Sequence, residues 1–139
     1  MSKVLIVDDN DKYATVLQKY FEDRSILCTR ALNAKEGLNQ FHQDPKSWSA
    51  IVTDVTMETQ TSGLWMLRHI HQFGFQGEKI IASTGFDQIG VMALGYWILP
   101  WFCGCGWMIP KVPLKTGNLE WHATRLINGS SLSMPSFLT

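Results

Sequence analysis

Residues 4–10 read Val4-Leu5-Ile6-Val7-Asp8-Asp9-Asn10, a short apolar run that ends in two carboxylates. An apolar run this short, rich in β-branched residues, is too brief for a helix and is typical of a strand buried on both faces. Asn10 or Asp11 can cap a helix after it, because apolar residues recur at three-and-four spacing from Tyr13 to Phe21. The pattern indicates a strand followed by an amphipathic helix, with acids at the junction.

The same alternation of strand and helix continues along the chain. Short apolar runs predict further strands at Ser25–Leu32, Ala50–Val55 and Lys79–Ala82. Helical patterns begin near Asn33 and Gly63, between these runs. Repeated units of this kind indicate a parallel sheet with helices on both faces. We therefore expect an α/β, doubly wound fold of five parallel strands, the fifth ending before Lys111, and a last helix over Leu114–Ile127.

The composition limits the classes of function. The 139 residues make about one domain, and 45% hydrophobic with 17% charged residues indicate a folded core. Twelve basic and twelve acidic residues leave no net charge, so no basic field is available for nucleic acid phosphates. Three cysteines without further ligands at metal spacing indicate neither a disulfide framework nor a structural zinc site. The first apolar run meets Asp8 before a signal-peptide core can form, so we expect a cytoplasmic domain.

Three acids follow two strands of the predicted sheet, since Asp8 and Asp9 end the first strand and Asp54 ends the third. Ligands of an open parallel sheet bind at the carboxyl ends of its strands, so these carboxylates should converge. Adjacent carboxylates repel unless a cation joins them, and an all-oxygen ligand set favours Mg²⁺. Ser83 and Thr84 at the fourth strand end add hydroxyls, and Lys111, after the expected fifth strand, adds an ammonium. Together these groups predict a phosphoryl-transfer site.

These motifs resemble the response-regulator receiver domain of two-component signalling, the CheY-like family. The matching segments are the acidic-pair strand at residues 4–10, the phosphoacceptor strand at Ile51–Met57, the following helix at Ser62–Ile70, the switch-hydroxyl strand at Ile80–Gly85 and the lysine-proline motif at Pro110–Leu114. The resemblance runs from residue 3 to about residue 127. It implies a flavodoxin-like receiver domain over residues 1–128, followed by a loose tail over residues 129–139.

The resemblance gives the carboxylates their roles. It implies that Asp54 takes a phosphoryl group from a sensor histidine kinase or a phosphotransfer protein. Asp8, Asp9 and Asp54 would hold Mg²⁺, with the backbone carbonyl of Thr56 as a further ligand. The chain is then expected to be a phosphoprotein of a phosphorelay. It would assist its own phosphorylation and dephosphorylation without being a conventional turnover enzyme.

The resemblance also gives roles to the hydroxyl and the lysine. Thr84, preferred to Ser83 because the family's small residue follows it, would turn its hydroxyl toward the phosphoryl oxygen. Lys111 would pair with the phosphate. Lys115 is the alternative for that role, because one extra residue separates Lys111 from the proline of the motif.

The segment before Lys111 is unusual, because no charged residue occurs from Gln88 to Pro110. About 20 apolar residues can cross a bilayer, but glycines and Pro100 interrupt this segment, and we expect it to stay within the globular domain. Its apolar surface, Ile89–Ile109, and the last helix are predicted to bind a downstream protein or a second copy of the chain.

The function expected from these residues is that of a stand-alone receiver that switches partner binding when Asp54 is phosphorylated. One alternative is a degenerate receiver that acts as a constitutive protein-binding or dimerisation module, suggested by the irregular segment from Phe86 to Val112. Another is a small Mg²⁺-dependent phosphatase with Asp54 as its nucleophile. That reading is disfavoured because the chain has no room for a cap domain to enclose a substrate.

Overall fold

A six-stranded sheet runs through the computed structural model, which describes residues 2–54, 62–83, 97–124 and 133–138. The strands are β1 (Lys3–Val7), β2 (Leu27–Ala31), β3 (Ala50–Asp54), β4 (Glu78–Ser83), β5 (Trp107–Pro110) and β6 (His122–Ala123). Their order is β2-β1-β3-β4-β5-β6, with the first five strands parallel and β6 antiparallel to β5. The predicted α/β fold is confirmed, and β6 is an addition to the five strands expected.

Helices connect the parallel strands, and one short helix follows the last of them. They are α1 (Asp11–Glu22), α2 (Ala34–Gln43), α3 (Ser62–Phe73), α4 (residues 97–103) and α5 (Lys111–Leu114), with a short 3₁₀ helix at Ser136–Leu138. Asn10, rather than Asp11, caps α1, because its side chain accepts a hydrogen bond from the Tyr13 N–H. Asn33 caps α2 in the same way, through the Glu36 N–H. Each cap fixes the point where the chain leaves the carboxyl edge of the sheet.

Alternate residues of each strand point to opposite faces, so the sheet separates two cores. On the α1 face, Val4 and Ile6 of β1 pack with helix residues such as Phe21. On the other face, which we call the α2–α3 face, Leu5 and Val7 lie in the core under α2, α3 and α4. The four apolar residues of β1 are all buried, as expected for a strand covered on both sides.

The cysteines take part in this packing. All three are free thiols, and Cys103 and Cys105 are fully buried in the core of the α2–α3 face. Burial raises the pKa of the Cys103 thiol to about 11, so this group is a neutral, weakly reactive side chain at ordinary pH. Cys103 and Cys105 therefore serve as small core residues.

The prediction of a last helix over Leu114–Ile127 is wrong for the part of that range that the structure describes, up to residue 124. Helix α5 stops after one turn, and Gly117 adopts a φ of +86° that favours glycine. The chain then returns as β6 beside β5. Leu119, Trp121 and Ala123 alternate along the sequence, and all three pack against the core of the α1 face. Leu119 and Ala123 fit helical spacing equally well, so the spacing alone could not exclude a strand.

Part of the C-terminal tail also packs on the α1 face. The Phe137 ring centroid lies 6.1 Å from that of Phe21, and Leu138 is partly buried against the same core. The described residues of the predicted loose tail are therefore held against the domain, while the boundary at residue 128 stays a prediction. Among the helices in the described ranges, none combines the length and the apolar character that a membrane span requires.

Candidate functional site

Three strand ends bring charged side chains to the carboxyl edge of the sheet. Asp8 follows β1, Asp54 is the last residue of β3, and Lys111 follows β5. The residues two positions earlier, Ile6, Val52 and Ile109, belong to the core of the α1 face. Since β1 and β3 pair Val7 with Thr53, the parallel register places Asp8 next to Asp54. Asp8, Asp54 and Lys111 therefore lie at the ends of the strands on the same face of the sheet as these apolar residues.

The carboxylates of Asp8, Asp9 and Asp54 converge as predicted. One oxygen from each lies within 4.8 Å of the others. Asp8 is buried and accepts a 2.8 Å hydrogen bond from the Asn10 N–H, whereas Asp9 is exposed. The three acids border an open cleft that Gly63 of α3 also lines. An all-oxygen donor set with space for water fits Mg²⁺, which binds few carboxylates and keeps several waters.

Lys111 lies between two of these carboxylates. Its Nζ is 2.7 Å from Asp54 Oδ1 and 3.1 Å from Asp8 Oδ2, and its side chain is only 2% exposed. The ammonium also sits 4.3 Å from the centre of the Tyr13 ring, a cation–π distance. Lys115, the alternative considered for this role, is exposed. The geometry therefore assigns the position beside Asp54 to Lys111.

The electrostatics of Asp54 follow from this arrangement. Burial raises the pKa of the Asp54 carboxyl above its ordinary value, the hydrogen bond and charge of Lys111 oppose the rise, and the charges of Asp8 and Asp9 add to it. The carboxylate form of Asp54 therefore depends on nearby cations. A divalent ion shared with Asp8 and Asp9 would favour that form further.

Arg30 is a supporting residue that the sequence pattern did not predict. From β2, its Nε donates a 3.0 Å hydrogen bond to the backbone oxygen of Asp8, and its guanidinium lies 2.7 Å from Asp11 Oδ1. These contacts fix the turn between β1 and α1, which carries Asp8 and Asp9. The only available signal was a charged residue near the end of a predicted strand, and no pattern in the sequence identified its partner.

Two predicted site residues, Thr56 and Thr84, lie outside the described residues, so their roles stay predictions. Ser83, the less favoured hydroxyl, is the last residue of β4 and is buried. It lies in register with Pro110, the residue before Lys111. The end of β4 is therefore beside the lysine, as the predicted hydroxyl role requires.

Part of the segment Ile89–Ile109, predicted as an interaction surface, is described from residue 97 onward. Trp97, Ile98 and Trp101 of α4 are exposed, Trp101 to 75%, while Leu99 and Cys103 are buried. Trp65 of α3 is also exposed, and its ring lies 5.1 Å from that of Phe102. We call the exposed residues Trp65, Trp97, Ile98 and Trp101 the α3–α4 apolar patch.

Comparisons with known proteins agree with this geometry. The family model of the response regulator receiver domain matches residues 4–95. A comparison with curated proteins finds no match. Among solved structures, a response regulator receiver domain protein from Clostridium thermocellum is 21% identical, with a TM-score of 0.62 over 84% of this chain and 90% of that one.

Two further structures contain the response regulator TrrA. TrrA from Thermotoga maritima, in complex with Mg²⁺-BeF, is 15% identical, with a TM-score of 0.60 over 85% of this chain and 100% of that chain. TrrA in complex with the histidine kinase ThkA matches at 16% identity and a TM-score of 0.56, over 74% of this chain and 81% of that one. At these identities the structures show a shared fold. Because the family model spans more than half of the chain, this chain belongs to the response regulator receiver domain family.

Proposed function

We propose that this receiver takes a phosphoryl group on Asp54 from a histidine kinase, with Mg²⁺ as the cofactor, and changes its partner binding in response. The observation that carries the proposal is the group of three carboxylates within 4.8 Å of one another, with the buried Lys111 2.7 Å from Asp54. TrrA, a protein of the same fold, binds Mg²⁺-BeF in one structure and a histidine kinase in another.

In the proposed reaction, an oxygen of Asp54 attacks the phosphorus of a phosphohistidine. The new P–O bond forms as the P–N bond breaks, and the imidazole leaves. Asp8 and Asp9 would hold Mg²⁺, which when bound neutralises charge on the phosphoryl oxygens. Lys111 lies close enough to pair with a phosphoryl oxygen once Asp54 carries the group.

Two further roles rest on the family resemblance. The backbone carbonyl of Thr56 would complete the protein ligands of Mg²⁺. The hydroxyl of Thr84 would move toward the phosphoryl oxygen and shift an existing conformational equilibrium. The alternation of residues along a strand supports the role of Thr84. Ile80 and Ala82 lie in the core of the α1 face, and Thr84 is the next residue of the sequence at the same interval of two.

Phosphorylation is tested by treating the chain with acetyl phosphate and Mg²⁺ and measuring its intact mass. We expect one phosphoryl adduct in the wild type and none in Asp54→Asn or in the presence of EDTA. Asp23→Asn, on the exposed end of α1, is the matched control and should be phosphorylated normally. An adduct on the Asp54→Asn chain, or none on the wild type, would overturn the proposal.

The downstream response is proposed to involve the α3–α4 apolar patch, through a protein partner or a second copy of the chain. The patch contains exposed tryptophans of α3 and α4, and the ring of Trp65 contacts Phe102 of α4. Large exposed apolar patches often mark interaction sites. Sedimentation velocity with and without beryllofluoride and Mg²⁺ tests self-association, and Trp101→Ser should reduce any change observed. An unchanged sedimentation profile and unchanged binding to candidate kinase-pathway proteins would contradict a switch at this surface.

A degenerate receiver that binds its partner constitutively remains the second candidate. It is favoured by the rebuilt C-terminal region, where α5 has one turn and β6 stands in place of the predicted last helix. Such a protein would accept the phosphoryl group on Asp54 without any change in partner binding. Measuring both properties on the same sample separates the two candidates.

We also propose a cytoplasmic location and no conventional turnover. The location follows from the proposed kinase partner, which would act on this domain where ATP is available. If the chain were instead a phosphatase, it would release phosphate from small phosphate monoesters through many cycles. A phosphate-release assay with Mg²⁺ should show none beyond the Asp54→Asn background.

A further inference from the structure

Two histidines from neighbouring helices meet at the surface of the α2–α3 face. His42 lies in the last turn of α2, and His69 lies in the second half of α3. Both are exposed, and their Nε2 atoms are 3.1 Å apart. One imidazole must donate and the other accept at this distance, so at least one of the two nitrogens carries a lone pair toward the other.

We propose that His42 and His69 form a site for a divalent transition-metal ion, with Zn²⁺ as the reference case. Two imidazole nitrogens bound to one tetrahedral Zn²⁺, each at about 2.0–2.1 Å, stand about 3.4 Å apart. The 3.1 Å separation is within a few tenths of an ångström of that value. Binding requires the shared proton to move from Nε2 to Nδ1 of the same ring, a change of tautomer that leaves both imidazoles neutral.

The packing around the pair holds one ring in place. The His42 ring makes edge contacts with Phe41 at 5.1 Å and with Phe73 at 5.2 Å. The two histidine rings are themselves nearly perpendicular, with centroids 5.3 Å apart. Because the two Nε2 atoms already lie 3.1 Å apart, little backbone movement is needed to ligate an ion. Preorganised ligands bind more tightly than free ones.

This site differs from the carboxylate cluster in position and in chemistry. Both helices start at the carboxyl edge of the sheet, where Gly63 lines the cleft, and His69 lies six residues further along α3. That interval is about 9 Å along the helix axis. Imidazole ligands suit Zn²⁺, Cu²⁺ and Ni²⁺, whereas carboxylates suit Mg²⁺. Excess Mg²⁺ should therefore occupy the acids without displacing an ion from the histidines.

Ligation would tie α2 to α3 and leave the remaining coordination positions to water. A site with two protein ligands is open, so the ion could take a further ligand from another molecule. Since the ion would bind only the folded arrangement, it should raise the melting temperature of the chain. The rise should disappear when either histidine is removed.

The test is calorimetric titration of the untagged chain with Zn²⁺ at pH 7.5 in excess Mg²⁺. We expect one Zn²⁺ per chain in the wild type and at least a tenfold loss of affinity in His42→Asn and in His69→Asn. His122→Asn is the matched control, because it removes a histidine of β6 that contacts Glu120, and it should bind as the wild type does. Circular dichroism checks that the exposed substitutions leave the fold intact.

Electron paramagnetic resonance of the Cu²⁺-loaded chain gives a second readout. Coupling to two imidazole nitrogens is expected in the wild type and in His122→Asn, and to fewer in either site variant. The proposal is overturned if the wild type and both site variants bind Zn²⁺ with equal affinity. It is also overturned if the wild type shows no Zn²⁺ binding, or if only His122→Asn loses it.

Discussion

The carboxyl edge of the sheet and the region from α4 to β6 are built on different principles. At the edge, strand register brings Asp8, Asp54 and Lys111 close together, and all three follow apolar residues of the same face. In the later region, aromatic packing around β5 decides the structure, and the predicted last helix is replaced. Lys111 belongs to both regions, which shows that its contact with Asp54 requires β5 but not a long helix after it.

The largest expected effect tests the packing of the later region. Trp107 is buried in β5, and its ring lies 6.0 Å from that of Trp121. Trp107→Ala should destabilise the chain by about 3–5 kcal/mol, because it leaves a cavity in the core. Trp101→Ala, on the exposed face of α4, should change stability by less than about 0.5 kcal/mol. Urea denaturation measures both, and equal losses would break the division between core and surface tryptophans.

The next effect tests the lysine that joins the two regions. Without Mg²⁺, Lys111→Met should lower the free energy of unfolding by about 3 kcal/mol, because it leaves two carboxylates without their buried counter-ion. Adding Mg²⁺ should restore part of this loss. Lys115→Met, on the exposed side of the turn, should be close to neutral. If the two variants were equally stable in urea denaturation, the assignment of Lys111 would be wrong.

Much of the carboxyl edge could be predicted, because its determinants are local. The run from Val4 to Val7 identifies a buried strand, and an acid directly after such a strand must lie at the edge of the sheet. Convergence of Asp8 with Asp54 then follows from topology. Arg30 could not be assigned, since its partners, the Asp8 carbonyl and Asp11, are set by the pairing of β2 with β1. The pairing of His42 with His69 depends in the same way on helix packing.

The region after Lys111 could not be predicted, for a different reason. The spacing of Leu119 and Ala123 is compatible with a helix and with a strand. Two features outside that pattern decided the outcome, the turn at Gly117 and the packing of Trp121 against Phe21, with ring centroids 6.5 Å apart. Gly117 followed by Asn118 is a turn signal that the helical spacing outweighed, whereas the contact of Trp121 with Phe21 has no signature in a single sequence.

A smaller effect on stability is expected from substitutions at Gly117, and it tests the turn that ends α5. Its φ of +86° is strained for other residues, and a β-carbon at this position would meet no atom within 4 Å. Gly117→Ala should therefore lower stability by about 1–2 kcal/mol through backbone conformation alone. Gly117→Asn should lose less, because asparagine tolerates this conformation better. Thermal denaturation of the two variants tests this, and an alanine variant as stable as the wild type would contradict the turn.

The smallest effect concerns Asp54, at the carboxyl edge of the sheet, and the way it makes the stability of the fold depend on pH. Burial raises the pKa of Asp54 above its value in the unfolded chain, so the charged carboxylate opposes folding at neutral pH. This opposition is relieved as the pH falls through the raised pKa. In EDTA, Asp54→Asn should therefore be slightly more stable than the wild type at pH 7, and the gain should shrink on acidification.

Melting temperatures of Asp54→Asn and the wild type, measured from pH 7 down through the raised pKa of Asp54, check the prediction. Mg²⁺ should reverse the difference at pH 7, because it binds the wild-type carboxylate. A gain in EDTA that grew as the pH fell would contradict the cause given for the pKa shift of Asp54.

Strand β6 has a consequence for the behaviour of many copies of the chain in solution. Without it, β5 would present a row of unpaired backbone amides and carbonyls, a template on which a strand of another molecule could add. The new border, His122–Ala123, is only two residues long. An edge strand of two residues offers few backbone groups to a strand of another molecule. Association on this side should therefore depend on side-chain contacts and not on extension of the sheet.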